Sequence, residues 1–156
     1  MKTRNFGFTL VELLIVVFLL AIVAAIGAGS WNRYVQNTNF RAAAREIEAD
    51  IKQMKESKIT NQSVTHKIIF NVGGNSYTKT RTGVAPDETK SPSSFGQDIH
   101  LDSVNLGGAS EIVFSDRGLL TPNTGSIVLK NSPSRNSTAT ITFSATGRTY
   151  VTFDMQ

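Results

Sequence analysis

Residues 7–29 read GFTLVELLIVVFLLAIVAAIGAG, and this stretch decides how the rest of the chain is interpreted. The 17 residues from Leu13 to Gly29 carry no charge, and with Phe8 to Glu12 the segment reaches 22 residues. At a rise of about 1.5 Å per residue, a helix of that length can cross a hydrocarbon core about 30 Å thick. The sequence therefore predicts a transmembrane segment over residues 8–29.

The charges in front of this segment predict its orientation. Lys2 and Arg4 precede the apolar run, and no acidic residue accompanies them. Since basic flanking residues tend to stay in the cytoplasm, the N-terminus is expected there. The rest of the chain is then expected on the far side of the inner membrane.

Glu12 is the one charged residue inside the apolar run. A carboxylate at membrane depth costs roughly 2.5–3.5 kcal/mol on insertion scales, so it is by default a functional group with a partner. The alternative for Glu12 is that it extends to the lipid headgroups. An ordinary cleaved secretory signal is a competing interpretation of the whole segment, although such a signal has no use for Glu12. The cut would then fall among the small residues Ala24, Ala25, Gly27, Ala28 and Gly29.

A short basic leader ending in Gly7, then Phe8-Thr9-Leu10-Val11-Glu12 and a long apolar stretch, resembles the class III signal of type IV pilins and type II secretion pseudopilins. The resemblance implies that a prepilin peptidase removes residues 1–7 by cutting between Gly7 and Phe8, and methylates the new N-terminus at Phe8. It also implies a role for Glu12 in filament assembly. There its carboxylate would neutralise the α-ammonium at Phe8 of a neighbouring subunit inside an apolar bundle.

An amphipathic pattern follows the apolar run. No proline occurs between Gly29 and Pro86, and one helix is predicted from Phe8 to Lys58. Its transmembrane half covers residues 8–29 and its amphipathic half residues 30–58. The predicted apolar stripe has three- and four-residue spacing and comprises Phe40, Ala43, Ala44, Ile47, Ile51 and Met54. A solvated face is favoured over a binding surface for the charged residues Arg41, Arg45, Glu46, Glu48, Asp50, Lys52, Lys55 and Glu56.

Residues 59–156 are predicted to form a globular β domain. Here apolar residues recur at every second position, as in a β-strand. Strands are predicted over residues 64–72, 76–82, 99–106, 111–115, 126–130, 138–145 and 149–153. Gly73-Gly74-Asn75 is predicted to form a turn with positive φ, and residues 83–98 a mobile loop. Thr146-Gly147 is expected to close a terminal hairpin. The fold class is therefore α+β, and the resemblance implies the type IV pilin lollipop, a long helix packed on an antiparallel β domain.

Three C-terminal segments narrow the resemblance. Residues 113–118 (VFSDRG), 125–129 (GSIVL) and 141–148 (ITFSATGR) are similar to the C-terminal domain of the GspH/FimT family of minor pseudopilins and minor pilins. The chain has no cysteine for the C-terminal disulfide of many major type IVa pilins. It also has no dense carboxylate cluster resembling the calcium site of major pseudopilins. Both features favour a minor subunit, and a major subunit remains the alternative.

The last 41 residues carry an excess of basic side chains. Asp116 and Asp154 oppose four cations, Arg117, Lys130, Arg135 and Arg148, which leaves +2. Such a surface could hold phosphates without reading bases. FimT-like members are associated with DNA uptake through a C-terminal Gly-Arg-x-Arg element, whereas this chain has Gly147-Arg148-Thr149-Tyr150. The favoured interpretation of Arg148 is a Gly-Arg turn that organises the terminal hairpin, with DNA contact as the alternative.

The composition argues against an enzyme. A length of 156 residues suits one domain, and the absence of cysteine excludes thiolate nucleophiles, disulfides and cysteine-ligated metals. His66 and His100 are the only histidines, and no nucleophile elbow or phosphate-binding loop occurs. The acidic residues Asp87, Glu88, Asp98 and Asp102 do not have the spacing of a calcium-binding EF-hand loop. We therefore expect no enzymatic activity, no cofactor and no bound metal.

Together these patterns predict a minor pilin or pseudopilin, a structural subunit of a periplasmic pseudopilus or type IV pilus in type II secretion or pilus assembly. Its expected partners are other pilin subunits, the prepilin peptidase and the inner-membrane assembly platform. We expect a single-pass inner-membrane protein with a periplasmic C-terminal domain, and a filament form in the periplasm or at the cell surface. The alternatives are a FimT-like minor pilin that binds DNA in natural transformation, and a secreted protein released by an ordinary signal peptidase.

Overall fold

The computed structural model describes residues 9–84, 86–133 and 135–156, apart from the side chains of residues 26–30. Within them, helix α1 covers Leu10–Thr60 and nine strands follow. A short 3₁₀ turn covers Pro92–Ser94. The strands are β1 (His66–Asn71), β2 (Ser76–Arg81), β3 (Glu88–Lys90), β4 (Ile99–Asn105), β5 (Glu111–Phe114), β6 (Leu120–Thr121), β7 (Gly125–Asn131), β8 (Ser137–Phe143) and β9 (Thr149–Asp154).

The chain divides into two compact units between Gln36 and Asn37. In the first unit, every described side chain of α1 is exposed. Among the residues whose placement is described, no helix is long and apolar enough to cross a membrane. Phe8 and the side chains of residues 26–30 fall outside the description, and the span over residues 8–29 stays a prediction.

The second unit, Asn37–Gln156, is the body of the protein, and α1 supplies one wall of its core. All six residues of the predicted stripe are buried, with exposures between 0% and 2%. Their three- and four-residue spacing places them on one side of the helix, where they face the sheets. The helix predicted to end at Lys58 continues to Thr60.

Two antiparallel sheets complete the body. One has the strand order β3-β2-β1-β5-β6, and the other has the order β4-β7-β8-β9. Alternate residues of the central strands point into the core, as with the fully buried Ile68 and Ile112 in one sheet and Ile127 and Ile141 in the other. The predicted α+β fold, with a long helix packed on antiparallel sheets, is confirmed.

All seven predicted strands are present, and two further strands were not expected. These are β3 (Glu88–Lys90) and β6 (Leu120–Thr121). The loop predicted over residues 83–98 is therefore wrong at residues 88–90, where β3 pairs with β2. β3 was not predicted because its three residues, two of them charged, show no apolar alternation. This strand is held by its pairing with β2 and by ion pairs rather than by a buried face.

The β1–β2 turn has the predicted positive φ at one of its three residues. Of Gly73, Gly74 and Asn75, Asn75 alone has a positive φ, at 46°. Gly74 lies close against the Asn71 side chain. Its N–H donates to Asn71 Oδ1 at 2.9 Å, and a Cβ there would lie 2.7 Å from Asn71 Nδ2.

Candidate functional site

Thr9 and Glu12 form the N-terminal cap of α1. Glu12 Oε2 accepts hydrogen bonds from the N–H and from the hydroxyl of Thr9, both at 2.9 Å. In return the Glu12 N–H donates to Thr9 Oγ1 at 3.2 Å. These reciprocal bonds are a capping box, which satisfies amide groups that the first turn of a helix leaves unpaired.

The capping box gives Glu12 a role that our sequence interpretation missed. Thr9-Leu10-Val11-Glu12 has the T-x-x-E spacing that marks a helix start, so the signal was present. Within the described residues, the second carboxylate oxygen of Glu12, Oε1, accepts no hydrogen bond. Gly7 and Phe8 lie outside those residues. Cleavage after Gly7, methylation of Phe8 and the pairing of Glu12 therefore stay predictions.

The first part of α1 presents an apolar surface, which we call the exposed apolar half and define as residues 10–25. Every Leu, Ile, Val and Phe between Leu10 and Val23 is at least 43% exposed. Glu12 is the one charged residue in this range. A contiguous apolar surface of this size on a protein marks a site of interaction with another protein or with lipid.

An ionic cluster joins α1 to β2 and β3, and Asp50 is at its centre. Asp50 is 4% exposed; its Oδ2 accepts a hydrogen bond from Tyr77 Oη at 2.6 Å and its Oδ1 one from Lys79 Nζ at 2.8 Å. Lys90 Nζ also lies 3.1 Å from Asp50 Oδ2. Two further carboxylates complete the cluster, since Lys90 pairs with Glu46 at 2.8 Å and Lys79 with Glu88 at 2.7 Å.

The protonation states of the cluster follow from these bonds. Burial alone would raise the pKa of Asp50, but the hydrogen bonds from Lys79, Tyr77 and Lys90 outweigh it and hold that pKa below its ordinary value. Burial and the bond to Asp50 raise the pKa of Tyr77. The pKa of Lys90 is also raised, because hydrogen bonds to Glu46 and Asp50 outweigh the effect of burial. At neutral pH the cluster therefore holds an ionised Asp50 that accepts hydrogen bonds from Tyr77, Lys79 and Lys90.

The interpretation of the helix charges as a solvated face is wrong for Asp50. Asp50 lies three residues after Ile47 and four before Met54, so helical geometry places it on the buried stripe. That spacing could have identified it, whereas the cations that compensate it lie on strands far along the chain. An ionised carboxylate is tolerated in the core only because such partners surround it.

The four predicted DNA-contact residues do not form one surface. Arg117 follows Asp116, which pairs with Lys58 at 2.6 Å, and therefore lies beside the last turns of α1. Arg148 lies at the same end, because a Cβ on the preceding Gly147 would approach Lys55 Cδ to 2.8 Å.

The other two cations lie towards the opposite end of the body. Arg135 Nη1 donates to Asn37 Oδ1 at 3.2 Å and to the Gln156 carbonyl at 3.1 Å. Lys130 is 3.8 Å from Asp102 Oδ1. Asn37 precedes Lys55 by 18 residues, or about 27 Å of helix. The structure therefore brings Arg117 and Arg148 to one end of the body and separates them from Arg135.

The backbone at Arg148 closes the terminal hairpin, as the favoured interpretation expects. Its carbonyl accepts a hydrogen bond from the Ser144 N–H at 3.0 Å, and the Gly147 N–H donates to the Ser144 carbonyl at 2.8 Å. Gly147 has a φ of 71°, which glycine adopts without strain. The Arg148 side chain is exposed and makes no hydrogen bond or ion pair with any described residue. It remains available for a ligand.

An open groove of 520 Å³ lies between the last turns of α1 and the start of β9. Three cations and one carboxylate line it, and Tyr150 beside them is 62% exposed. Lys52 pairs with Glu48 at 2.7 Å, and Lys55 Nζ donates to the Thr146 carbonyl at 2.8 Å. The groove residues are Lys52, Lys55, Glu56, Ile59, Gly147, Arg148, Thr149 and Tyr150.

The histidines and acidic residues have structural partners. His66 is 2% exposed, with Nδ1 3.0 Å from the Val64 carbonyl oxygen, and His100 Nδ1 lies 3.2 Å from the Asp98 carbonyl oxygen. Glu88 and Asp102 lie in ion pairs with lysines. In the described part of the chain, no three histidine or acidic residues converge on a metal position.

Comparison with known proteins gives two findings. The family profile described as the prokaryotic N-terminal methylation motif matches residues 2–28. The crystal structure of the type IV minor pilin FimU from Pseudomonas aeruginosa (strain PAO1) is similar over 76% of this chain and 92% of that chain, with 15% sequence identity and a TM-score of 0.57. In a second crystal form of FimU the shares are 72% and 91%, the identity 16% and the TM-score 0.52.

The chain therefore has a type IV pilin-like fold and carries the N-terminal methylation motif. Both parts of the resemblance are confirmed at this level, the motif by its match over residues 2–28 and the fold by its similarity to a minor pilin. The GspH/FimT subtype and the choice between a pilus and a secretion system remain predictions.

Proposed function

We propose that this chain, with its pilin-like fold and methylation motif, is a minor pilin or pseudopilin of the GspH/FimT type. It would be a structural subunit of a type IV pilus, or of the periplasmic pseudopilus of type II protein secretion. The exposed apolar half of α1 carries the proposal, because an apolar helical surface needs either lipid or other apolar helices to cover it. A filament subunit meets both in turn.

The proposed life of the subunit has two stages. Residues 8–29 first anchor it in the inner membrane with the body in the periplasm, an orientation that Lys2 and Arg4 favour. After cleavage between Gly7 and Phe8 and methylation of Phe8, the assembly platform moves the helix from lipid into a bundle of pilin helices. The lipid-facing residues then face other subunits.

Glu12 can serve assembly without giving up its cap. The capping box uses Oε2, and within the described residues Oε1 is unbonded. A methylated ammonium at Phe8 of a neighbouring subunit could bond Oε1 while Thr9 keeps Oε2. Pairing would remove the cost of an isolated carboxylate in an apolar bundle.

The first test is the intact mass of the mature protein purified from its membrane. The proposal expects residues 8–156 plus one methyl group. A mature chain that starts near Gly29 would indicate an ordinary signal peptidase and would contradict the proposal.

The role of Glu12 is tested by filament incorporation of paired variants. We expect Glu12→Ala to be processed normally but to fall by about tenfold or more in the filament fraction, because the ammonium loses its counter-ion. Thr9→Ala removes the two hydroxyl bonds of the cap and keeps the carboxylate, and should be incorporated nearly as well as wild type. Equal losses in both variants would assign Glu12 to the cap alone.

A second candidate function is DNA binding, and the groove beside Arg148 favours it. Lys52, Lys55 and Arg148 line one groove beside the exposed ring of Tyr150, a combination of cations and an aromatic face that suits single-stranded DNA. In the full chain held in detergent micelles, this candidate expects salt-sensitive binding of labelled DNA that Arg148→Ala weakens. Arg135→Ala, at the other end, is the matched control. Equal effects of the two variants would rule out binding at the groove.

A further inference from the structure

The two sheets end in four edge strands, and three of them are protected against pairing with another chain. β3 has three residues, two of them charged, and β6 has two residues. β4 is interrupted by a register shift between Leu101 and Ser103, where Asp102 intervenes. Short length, charge and bulges are the usual devices that prevent a further strand from adding to an edge.

β9 carries none of these devices. Its six residues pair with β8 without a register shift, from Thr149 opposite Phe143 to Asp154 opposite Thr138. It contains no proline, and its one charged residue is at its end. Within the described residues β9 pairs with β8 alone. Such an edge presents backbone N–H and C=O groups to an incoming strand.

α1 runs beside β9 in the opposite direction. The Arg41 guanidinium lies 5.8 Å from the centre of the Phe153 ring, and Thr149 Oγ1 donates to Glu48 Oε1 at 3.1 Å. Seven helical residues span about 10.5 Å and four strand residues about 13 Å, so the two contacts fit nearly parallel axes. A strand added to β9 would therefore lie along the helix.

The helix face that borders β9 is positively charged. Arg41, Arg45, Glu48 and Lys52 have the spacing that places them on one side of α1. Lys52 and Glu48 neutralise each other at 2.7 Å. Arg41 and Arg45 are exposed residues, and no described carboxylate forms an ion pair with either.

We propose that the outer edge of β9 binds an extended segment of a partner protein that has carboxylates at alternate positions. Arg41 and Arg45 are four residues apart, about 6.0 Å along the helix, and side chains on one face of a strand recur every 6.7 Å or so. Two glutamates separated by one residue therefore match the two arginines. The intervening side chains would lie beside Tyr150 and Thr152, where β-branched residues pair well.

This inference does not rest on the filament proposal, since it uses the body alone. A failure of processing or incorporation would leave it standing, and a failure of strand binding would leave the filament proposal standing. The two proposals are tested by separate measurements.

The test measures peptide binding to the full chain in detergent micelles. The probes are two ten-residue peptides, one of alternating threonine and glutamate and one of alternating threonine and lysine. We expect the glutamate peptide to bind at least tenfold more tightly. Equal binding of both peptides, or no binding of either at millimolar concentration, would overturn the proposal.

Two controls separate strand addition from simple charge attraction. Two further peptides carry N-methyl groups, one on the backbone nitrogens of its glutamates and the other on the backbone nitrogens of its threonines. One of the two should lose binding about tenfold and the other should keep it, because backbone amides alternate between the two edges of a strand. Arg45→Glu should weaken the glutamate peptide about threefold to tenfold and favour the lysine peptide. Arg81→Glu, an equal change at an exposed residue of β2, should alter neither. Equal binding of both methylated peptides would also overturn the proposal.

Discussion

The two halves of α1 have similar apolar residues and opposite environments. In residues 10–25, the Leu, Ile, Val and Phe side chains are exposed all round the helix, whereas after Asn37 the side chains of Phe40, Ile47 and Ile51 are at most 1% exposed. The second half carries one apolar stripe because a single face is covered by the sheets of the same chain. Residues 10–25 are apolar on every side except at Glu12, which is the pattern of a helix whose partners come from outside the chain.

The largest effect should come from truncating an aromatic ring in the packed half. Phe40→Ala removes a fully buried ring and should lower the free energy of unfolding by about 3–5 kcal/mol. Phe18→Ala is the matched change in the exposed apolar half, where the ring is 64% exposed, and should shift unfolding by less than about 0.5 kcal/mol. Denaturant unfolding of the full chain in detergent measures both. Equal losses would break the comparison.

Removing the charge at the centre of the ionic cluster should come next. Asp50→Ala leaves Lys79, 4% exposed, without its buried partner and should cost about 3 kcal/mol. Glu56→Ala removes an exposed carboxylate from the same helix and should cost less than about 0.5 kcal/mol. If the two variants unfold alike, the cluster contributes nothing to packing of the second half.

The pH dependence of unfolding should reflect Asp50. Its pKa is held below the ordinary value by Lys79, Tyr77 and Lys90 against the effect of burial, with Glu46 and Glu88 as neighbouring carboxylates. As the pH falls, Asp50 is therefore protonated in the unfolded state before it is protonated in the folded state. Its contribution to stability is complete above a pH of about 4 and declines as the pH falls through the folded pKa. We expect Asp50→Asn to reduce the slope of the free energy of unfolding against pH in this acidic range. An unchanged slope would show that other carboxylates control it.

The smallest effect is local to the start of the exposed apolar half. Thr9→Ala removes both Thr9 hydroxyl bonds of the capping box and should weaken the first turn of α1 by about 1 kcal/mol. Amide hydrogen exchange in micelles should rise at residues 10–13, while denaturant unfolding of the body stays unchanged. A shift in body unfolding would show that the two halves are not independent.

Regular patterns made most of the fold predictable from sequence. The stripe and the seven longer strands follow from periods of three to four and of two, which depend only on which residues must face a core. β3 and β6 were missed because strands of two or three residues are too short to show a periodic pattern of apolar residues. Their place depends on the ladders that β3 forms with β2 and β6 forms with β5 and, for β3, on ion pairs with Lys79 and Glu46.

The site was predictable only in part for the same reason. The match over residues 2–28 agrees with the signal found in the sequence, because that signal is local. The four C-terminal cations were predicted to form one basic surface because they lie close together in the sequence. Closeness in sequence does not determine the distance between residues in a folded sheet. The structure places Arg135 beside Asn37 and Arg148 near Lys55, about 27 Å apart along the helix.

The buried carboxylate of Asp50 also limits the positions that α1 can take along its own axis against the sheets. A shift of seven residues would bring Ile47, Ile51 and Met54 to the places of Phe40, Ala44 and Ile47, but it would also bring Asp50 and Lys58 to the buried places of Ala43 and Ile51. The same shift would put Ser57 in the place of Asp50 and strand Lys79 in the core. Asp50 thus helps to fix which turn of the helix meets β2 and β3, because a helix displaced by two turns would bury charged side chains away from their partners.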